Sequence, residues 1–75
     1  YFIRFFMEVK SNMAGTILEV LVSVGDQIED GQDLVCLESM KMQMFILAES
    51  SGTVKEIKID VGDFVNEGEL LLLIE

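Results

Sequence analysis

Apolar and polar residues alternate along much of the chain, which predicts β-strands rather than helices. Between residues 57 and 61 every second residue is apolar and the residues between them are Lys58 and Asp60. A period of two residues is typical of a strand with one face buried. The same pattern recurs in the first half of the chain. The residues predicted to face inward are Val20, Val22, Val24, Ile57, Ile59 and Val61.

The chain contains an internal repeat. Residues 15–38 align without gaps with residues 52–75, and nine of the 24 aligned pairs are identical. Most of the other pairs exchange one apolar residue for another. Chance rarely produces such a match, so we interpret the two segments as copies of one structural unit.

Each copy contains the same succession of strands and turns. Glycine next to an acidic residue marks turns, because glycine tolerates positive φ and aspartate bonds back to nearby backbone. The repeat therefore predicts an all-β, two-sheet sandwich with pseudo-twofold symmetry, about eight strands and a single domain over residues 1–75. The predicted turns are Gly25-Asp26, Asp30-Gly31, Gly62-Asp63 and Glu67-Gly68, and the predicted strands include Met7–Asn12, Leu34–Glu38, Met42–Ala48 and Leu70–Ile74.

Composition narrows the functional classes. Fourteen acidic and five basic residues give a formal net charge of −9, which disfavours nucleic acid and anionic membrane surfaces as partners. The absence of histidine removes the commonest metal ligand and general base, so we expect neither a metal site nor catalysis by this chain alone. The lone Cys36 lies in an apolar run and is expected to be a buried small hydrophobe.

Residues 39–42, at the start of the segment between the copies, are predicted to form a tight hairpin with Met40 and Lys41 at its two central positions. Such turns usually require positive φ, which Asn-Gly or Asp-Gly adopt more readily than Met-Lys. A turn that opposes local propensity is expected at a functional site.

The run Glu38-Ser39-Met40-Lys41-Met42 resembles the attachment motif of the biotinyl domains of biotin-dependent carboxylases and decarboxylases. The Val-Gly-Asp and Glu-Gly turns fit the same biotinyl/lipoyl pattern, and the resemblance covers roughly residues 9–75. It implies a flattened barrel, or barrel-sandwich hybrid, of two four-stranded antiparallel sheets. It also implies that the modified lysine lies at a hairpin tip and the chain termini at the opposite end.

Carried to this sequence, the resemblance implies that a biotin protein ligase attaches biotin to Lys41. Met40 and Met42 would influence recognition by the ligase and later carboxylation, with Glu38 preceding them in the motif. A biotin carboxylase would then load a carboxyl group, which the carrier would deliver to a carboxyltransferase. The family implies a cytoplasmic protein, or a mitochondrial matrix protein in a eukaryote.

Two alternatives stay open on the sequence alone. A lipoyl carrier, or a protein that accepts both groups, would share the fold, although lipoyl domains usually have Asp-Lys-Ala at this point. The second alternative is an unmodified module that only mediates assembly. The ungapped repeats lack the thumb insertion of some bacterial carriers, which favours the thumbless types: carrier domains of acyl-CoA or pyruvate carboxylases, or the small biotin/lipoyl attachment proteins. The turn segments, residues 25–29 and 62–68, most resemble those of the last group.

Several expectations concern apolar residues outside the repeat's shared pattern. Met44 and Phe45 are expected in the core, and partial burial of Met42 is weighed beside its recognition role. Leu18 and Leu21 stand where the second copy has Lys55 and Lys58. We hypothesise that these leucines form an apolar patch covered by the N-terminal tail, residues 1–6, or by a partner protein.

Overall fold

A computed structural model describes residues 6–75, so the predicted tail lies outside the described residues except for Phe6. The described chain forms eight strands and contains no helix. The positions agree with the sequence prediction to within a few residues. The strands are β1 (Met7–Lys10), β2 (Gly15–Val20), β3 (Gln27–Ile28), β4 (Asp33–Ser39), β5 (Met42–Leu47), β6 (Gly52–Ile57), β7 (Phe64–Val65) and β8 (Leu70–Ile74).

The strands form two four-stranded antiparallel sheets, which confirms the predicted fold. One sheet has the order β1-β8-β6-β3 and the other β5-β4-β2-β7. The two sheets follow the same pattern with the copies interchanged, as the repeat predicts. The short strand β3 of the first copy pairs with β6 of the second, and β7 of the second pairs with β2 of the first. Each copy therefore completes the sheet of the other.

Backbone hydrogen bonds at the glycine turns reinforce this exchange. The turn that follows β2 bonds to β6 in the other copy, and the turn that follows β6 bonds to β2. The residues of the first pair of hydrogen bonds lie 37 positions from the equivalent residues of the second pair. All four bonds are 2.8–2.9 Å long. The bonds run from Gly25 N to Val54 O, Val54 N to Asp26 O, Gly62 N to Ile17 O, and Ile17 N to Asp63 O.

The hydrophobic core lies between the two sheets and receives residues from both copies. Cys36 is buried, as predicted, but it does not belong to this cluster. Its burial therefore arises on the other side of its sheet. The core residues that are almost completely buried are Ile17, Leu34, Val35, Leu37, Val54, Val65, Leu71, Leu72 and Ile74.

Two predicted inward residues are in fact exposed, and this part of the prediction was wrong. Val24 is 62% exposed and Val61 is 64% exposed, whereas Val22 and Ile59 are buried as expected. The long strands end earlier than the alternation suggests, at Val20 and Ile57. Each exposed valine then opens a turn with the following glycine, which has φ of 95°. Residues in such a turn project into solvent.

The described chain ends lie far from the hairpin between β4 and β5. Strand β2 starts beside that hairpin, with Thr16 opposite Glu38, and runs away from it. The chain then reaches β3, whose Ile28 pairs with Gly52. The next residue, Thr53, exchanges backbone hydrogen bonds with Glu75. The carboxyl terminus therefore lies at the end of the molecule opposite the hairpin, beside β1, as the resemblance implied.

Gly15 provides a test of the close approach between strands β2 and β4. A Cβ at this position would lie 2.5 Å from the Glu38 carbonyl oxygen and 2.7 Å from Leu37 Cδ1. We expect Gly15→Ala to lower the free energy of unfolding by about 1–3 kcal/mol, because a central strand would have to shift. Urea denaturation measures this change. Ser51→Ala, at an exposed site, is the control and should change it by less than about 0.5 kcal/mol. Equal effects of the two substitutions would contradict the close approach.

Candidate attachment hairpin

The hairpin between the two copies has the predicted geometry. Strand β4 ends at Ser39 and β5 begins at Met42, so Met40 and Lys41 are the two central residues. Their φ angles are 53° and 65°, both in the left-handed region. These are the only described residues other than glycine with positive φ. The structure thus confirms a two-residue turn in which both central residues have positive φ, as type I′ hairpins require.

The three residues around the tip project into solvent. Met40 is 92% exposed, and Lys41 and Met42 are also exposed. The partial burial considered for Met42 is therefore not observed, because this residue lies at the first position of β5, beyond the end of the core. Apolar side chains displayed in this way gain nothing from burial within the chain. Their exposure leaves them available for contact with another protein.

Lys41 differs from the other lysines in its surroundings. Among residues 6–75, each of the other three lysines has a carboxylate partner within 4 Å, whereas Lys41 has none. Lys41 also projects from a turn rather than lying along a sheet. Its amine is consequently accessible from many directions. The three ion pairs are Lys10–Glu8 at 3.6 Å, Lys55–Glu75 at 3.8 Å and Lys58–Glu56 at 2.6 Å.

Glu38, the remaining predicted site residue, lies on β4 just before the turn. It is exposed, and its partners across the sheet are Thr16 on one side and Gln43 on the other. Within the described chain no hydrogen bond or ion pair joins Glu38 to Lys41. The glutamate therefore contributes negative charge at the base of the hairpin rather than a direct contact with the lysine.

The base of the hairpin is held firmly by the core. Strand β4 is paired on both sides, with β2 and with β5. Leu37, four residues before Lys41, is completely buried between Ile17 and Met44 in the pairing register. Buried side chains on a paired strand fix the position of the backbone that follows them. The hairpin therefore presents an exposed side chain at the end of a paired and buried strand.

The sequence prediction for Phe45 was wrong. Met44 packs against the core as expected, but Phe45 is 48% exposed. Strand geometry explains the difference, because Met44 and Ile46 both face inward and the residue between them must face outward. An uninterrupted apolar run conceals this alternation. The signal that could have revealed it is the equivalent position in the other half of the chain, where β1 has the charged residue Glu8.

No group of histidine, cysteine, aspartate or glutamate residues suited to hold a metal ion occurs in the part of the chain that the structure describes. Among these residues there is also no helix long and apolar enough to cross a membrane.

Comparison with known proteins identifies relatives of this chain. The family model described as "Biotin-requiring enzyme" (Biotin_lipoyl) matches residues 7–74. The biotin/lipoyl attachment protein of Bacillus subtilis is 56% identical over 43 residues, which cover 57% of this chain and 59% of that protein. The biotinylated protein TB7.3 homolog of Mycobacterium leprae is 51% identical over 41 residues, or 55% of this chain and 58% of that protein. The alignments thus span somewhat more than half of each relative.

A solved structure extends the likeness over the whole chain. The urea carboxylase of Kluyveromyces lactis has 29% sequence identity and a TM-score of 0.91, with 100% of this chain and 7% of that protein covered. The similarity therefore corresponds to one small part of a much larger chain.

The conformation of the hairpin can be tested through stability. Asparagine tolerates the left-handed region better than methionine, and Met40 loses no burial when it is replaced. We expect Met40→Asn to raise the free energy of unfolding by about 0.5–1 kcal/mol. The matched control is Met42→Asn, two residues further on in a strand, where asparagine is disfavoured and no increase is expected. A decrease for Met40→Asn in urea denaturation would show that the turn is not left-handed in solution.

Proposed function

This chain belongs to the biotin/lipoyl attachment family, and from that membership we propose that it is a biotin carboxyl carrier modified on Lys41. In this role the chain is not itself an enzyme. It presents a covalently bound biotin that carries a carboxyl group between the active sites of other proteins. Met40 and Met42 contribute to recognition by those proteins, and Glu38 shapes the charge at the base of the hairpin.

The observation that carries the proposal is the placement of Lys41. It stands at the tip of the hairpin that joins the two copies and, among the described residues, it is the lysine without a carboxylate partner. Modification of any other described lysine would break an ion pair. A group on Lys41 instead extends away from the molecule, so it can enter a deep active site without steric conflict.

The attachment reaction requires little from this chain. The ε-amine of Lys41 attacks the activated carboxyl carbon of biotin, an amide bond forms, the activating group leaves and the amine loses its proton. A protonated lysine is a poor nucleophile, so a ligase must take up the proton and activate the carboxylate. The role of the hairpin is to fit the ligase's active site while the rest of the domain stays outside it.

Tethering explains why a rigid domain is useful for carrying a small group. A group on a short flexible link is present near its target at an effective concentration in the millimolar range. The hairpin fixes where that link starts, and the lysine side chain together with biotin provides the reach. Carboxylation and transfer of the carboxyl group can then occur at two separate sites, on a biotin carboxylase and a carboxyltransferase.

The residues beside Lys41 favour biotin over lipoate. Lipoyl domains usually place an acidic residue before the lysine and a small residue after it, whereas this chain has methionine at both positions. The names of the relatives include both groups, as a biotin/lipoyl attachment protein and as a biotinylated protein. A lipoyl carrier, or a carrier of both groups, is therefore the second candidate. The likeness to part of a urea carboxylase supports biotin and a carboxylase partner.

Substitution of Lys41 tests the attachment site. After incubation with a biotin protein ligase, ATP and biotin, the intact mass of the parent should increase by one biotinyl group. Lys41→Arg should show no increase while its unfolding curve stays unchanged, because the side chain is exposed and unpaired among the described residues.

Lys55→Arg and Lys58→Arg are the matched controls and should be modified as fully as the parent. Labelling that persists in Lys41→Arg would move the attachment site elsewhere. A parent that gains no biotin but gains a lipoyl group from a lipoate ligase would instead establish the second candidate. No modification by either ligase would contradict the carrier function.

A further inference from the structure

The two sheets differ sharply in the chemistry of their outer surfaces, although the repeat makes them structurally equivalent. On the sheet that carries Lys41, five residues form what we term the outer apolar face. On the opposite sheet, four of the five equivalent positions hold charged residues. The outer apolar face consists of Leu18, Leu21, Cys36, Phe45 and Leu47, and the equivalent residues of the other sheet are Lys55, Lys58, Leu73, Glu8 and Lys10.

The strand register places these residues on one surface. Phe45 is paired with Cys36, and the neighbours of both along their strands face the core, so both lie on the outer side. Cys36 is also paired with Glu19 on its other side. The register of β2 shifts between Ile17 and Glu19, at Leu18. Cys36 is buried although it is not part of the core cluster. Phe45 and Cys36 therefore lie side by side on the outer surface, with Glu19 next to Cys36 and Asp33 next to Leu47.

Large apolar side chains remain uncovered at the borders of this face. Phe45 is 48% exposed and Leu47 is 47% exposed, and Leu21 is exposed as well. Phe45 and Leu47 also line a groove of about 710 Å³ between the edge strands β1 and β5. A fold that accepts glutamate and lysine at the equivalent places does not need apolar residues here for stability. Their presence is thus better explained by contact with another surface.

The charges around the outer apolar face indicate what that other surface carries. Glu8 and Glu56, on the opposite sheet, are paired with lysines. Among residues 6–75, by contrast, Glu19, Asp33 and Glu38 on strands β2 and β4 have no ion pair. Apart from Lys41 at the tip, the described strands of this sheet contain no basic residue. A complementary partner would therefore have an apolar centre bordered by lysine or arginine.

We propose that the outer apolar face is the docking surface for the biotin carboxylase that loads the carrier, and that this enzyme presents an apolar patch bordered by basic residues. The inference rests on the proposed function. Continuity supports it, since β4 and β5 carry both the face and the Lys41 hairpin. An enzyme that accepts the tip can contact this face at the same time. A second copy of the chain is disfavoured as occupant because it would bring another charge of −9.

The repeat supplies the variant that tests this proposal. Phe45→Glu combined with Leu47→Lys copies the residues of the equivalent strand, Glu8 and Lys10, so the fold should tolerate it. The net charge does not change. The control is Glu56→Gln combined with Lys58→Gln, on the opposite sheet and outside the groove, which also preserves net charge.

Each full-length variant is biotinylated and then assayed with a biotin carboxylase that carboxylates the biotinylated parent. We expect the KM for the double variant to rise about tenfold or more with kcat unchanged, because docking and not chemistry is weakened. The control should stay within about twofold of the parent. Free biotin, which needs no docking surface, measures the intrinsic activity of each enzyme preparation.

The outcomes separate this inference from the proposed function. A parent that cannot be biotinylated or carboxylated overturns both proposals. Variants that are fully biotinylated and show an unchanged KM overturn the docking surface alone. Dimers of the parent that the double variant converts to monomers in sedimentation would assign the face to a second copy instead. A deletion of residues 1–6 that destabilises the parent but not the double variant would assign the face to the tail instead, which would also overturn the proposal.

Discussion

The exchange of short strands between the two copies is the constraint on which the rest of the structure depends. Without β7, strand β2 would lack a partner on one side, and without β3 the same would hold for β6. The cross-copy hydrogen bonds at the glycine turns lie at the same places. Neither copy can therefore close its sheet or its half of the core alone. Because the copies must assemble together, the segment that joins them is fixed at one end of the molecule.

This arrangement separates stability from function within a small domain. The core lies between the sheets and is made of residues that both copies share, whereas the hairpin contributes nothing to it. The chain can thus place two residues in the left-handed region, and expose two methionines, without weakening the packing below. The energetic cost of such a turn is of the order of 1 kcal/mol per residue. Strand β4 offsets this cost at the base of the hairpin, because it is buried and is paired on both sides, with β2 and with β5.

Much of the fold could be predicted from the sequence because the two copies contain the same turns as well as the same strands. The Gly-Asp and acidic-Gly pairs delimit each strand, and the offset of 37 residues relates every element to a second one. The prediction was wrong where the local pattern was ambiguous. Val24 and Val61 continue an alternation into turns, and Phe45 lies in an apolar run that hides which side each residue faces. Burial depends on how strands pair, which single segments do not specify.

The same reasoning applies to the candidate site. The identity of the central residues, Met40 and Lys41, could be predicted because only a two-residue turn fits between the strands. The lack of a carboxylate partner for Lys41 among the described residues could not be predicted, because it depends on which side chains the folded chain brings together. The full outer apolar face is visible in the sequence only when each residue is compared with its equivalent 37 positions away. A duplicated sequence provides its own internal reference for what each position requires.

The position of the chain ends has a consequence for how such a domain can be used. Met7 and Ile74 lie side by side on adjacent strands, and Glu75 lies at the pole opposite Lys41. The backbone therefore enters at Met7 and leaves at Glu75 on the side of the molecule away from the hairpin. A fold with this arrangement can be inserted into a longer chain without obstructing the hairpin. The urea carboxylase, in which the similar region is a small fraction of the chain, is consistent with such modular use.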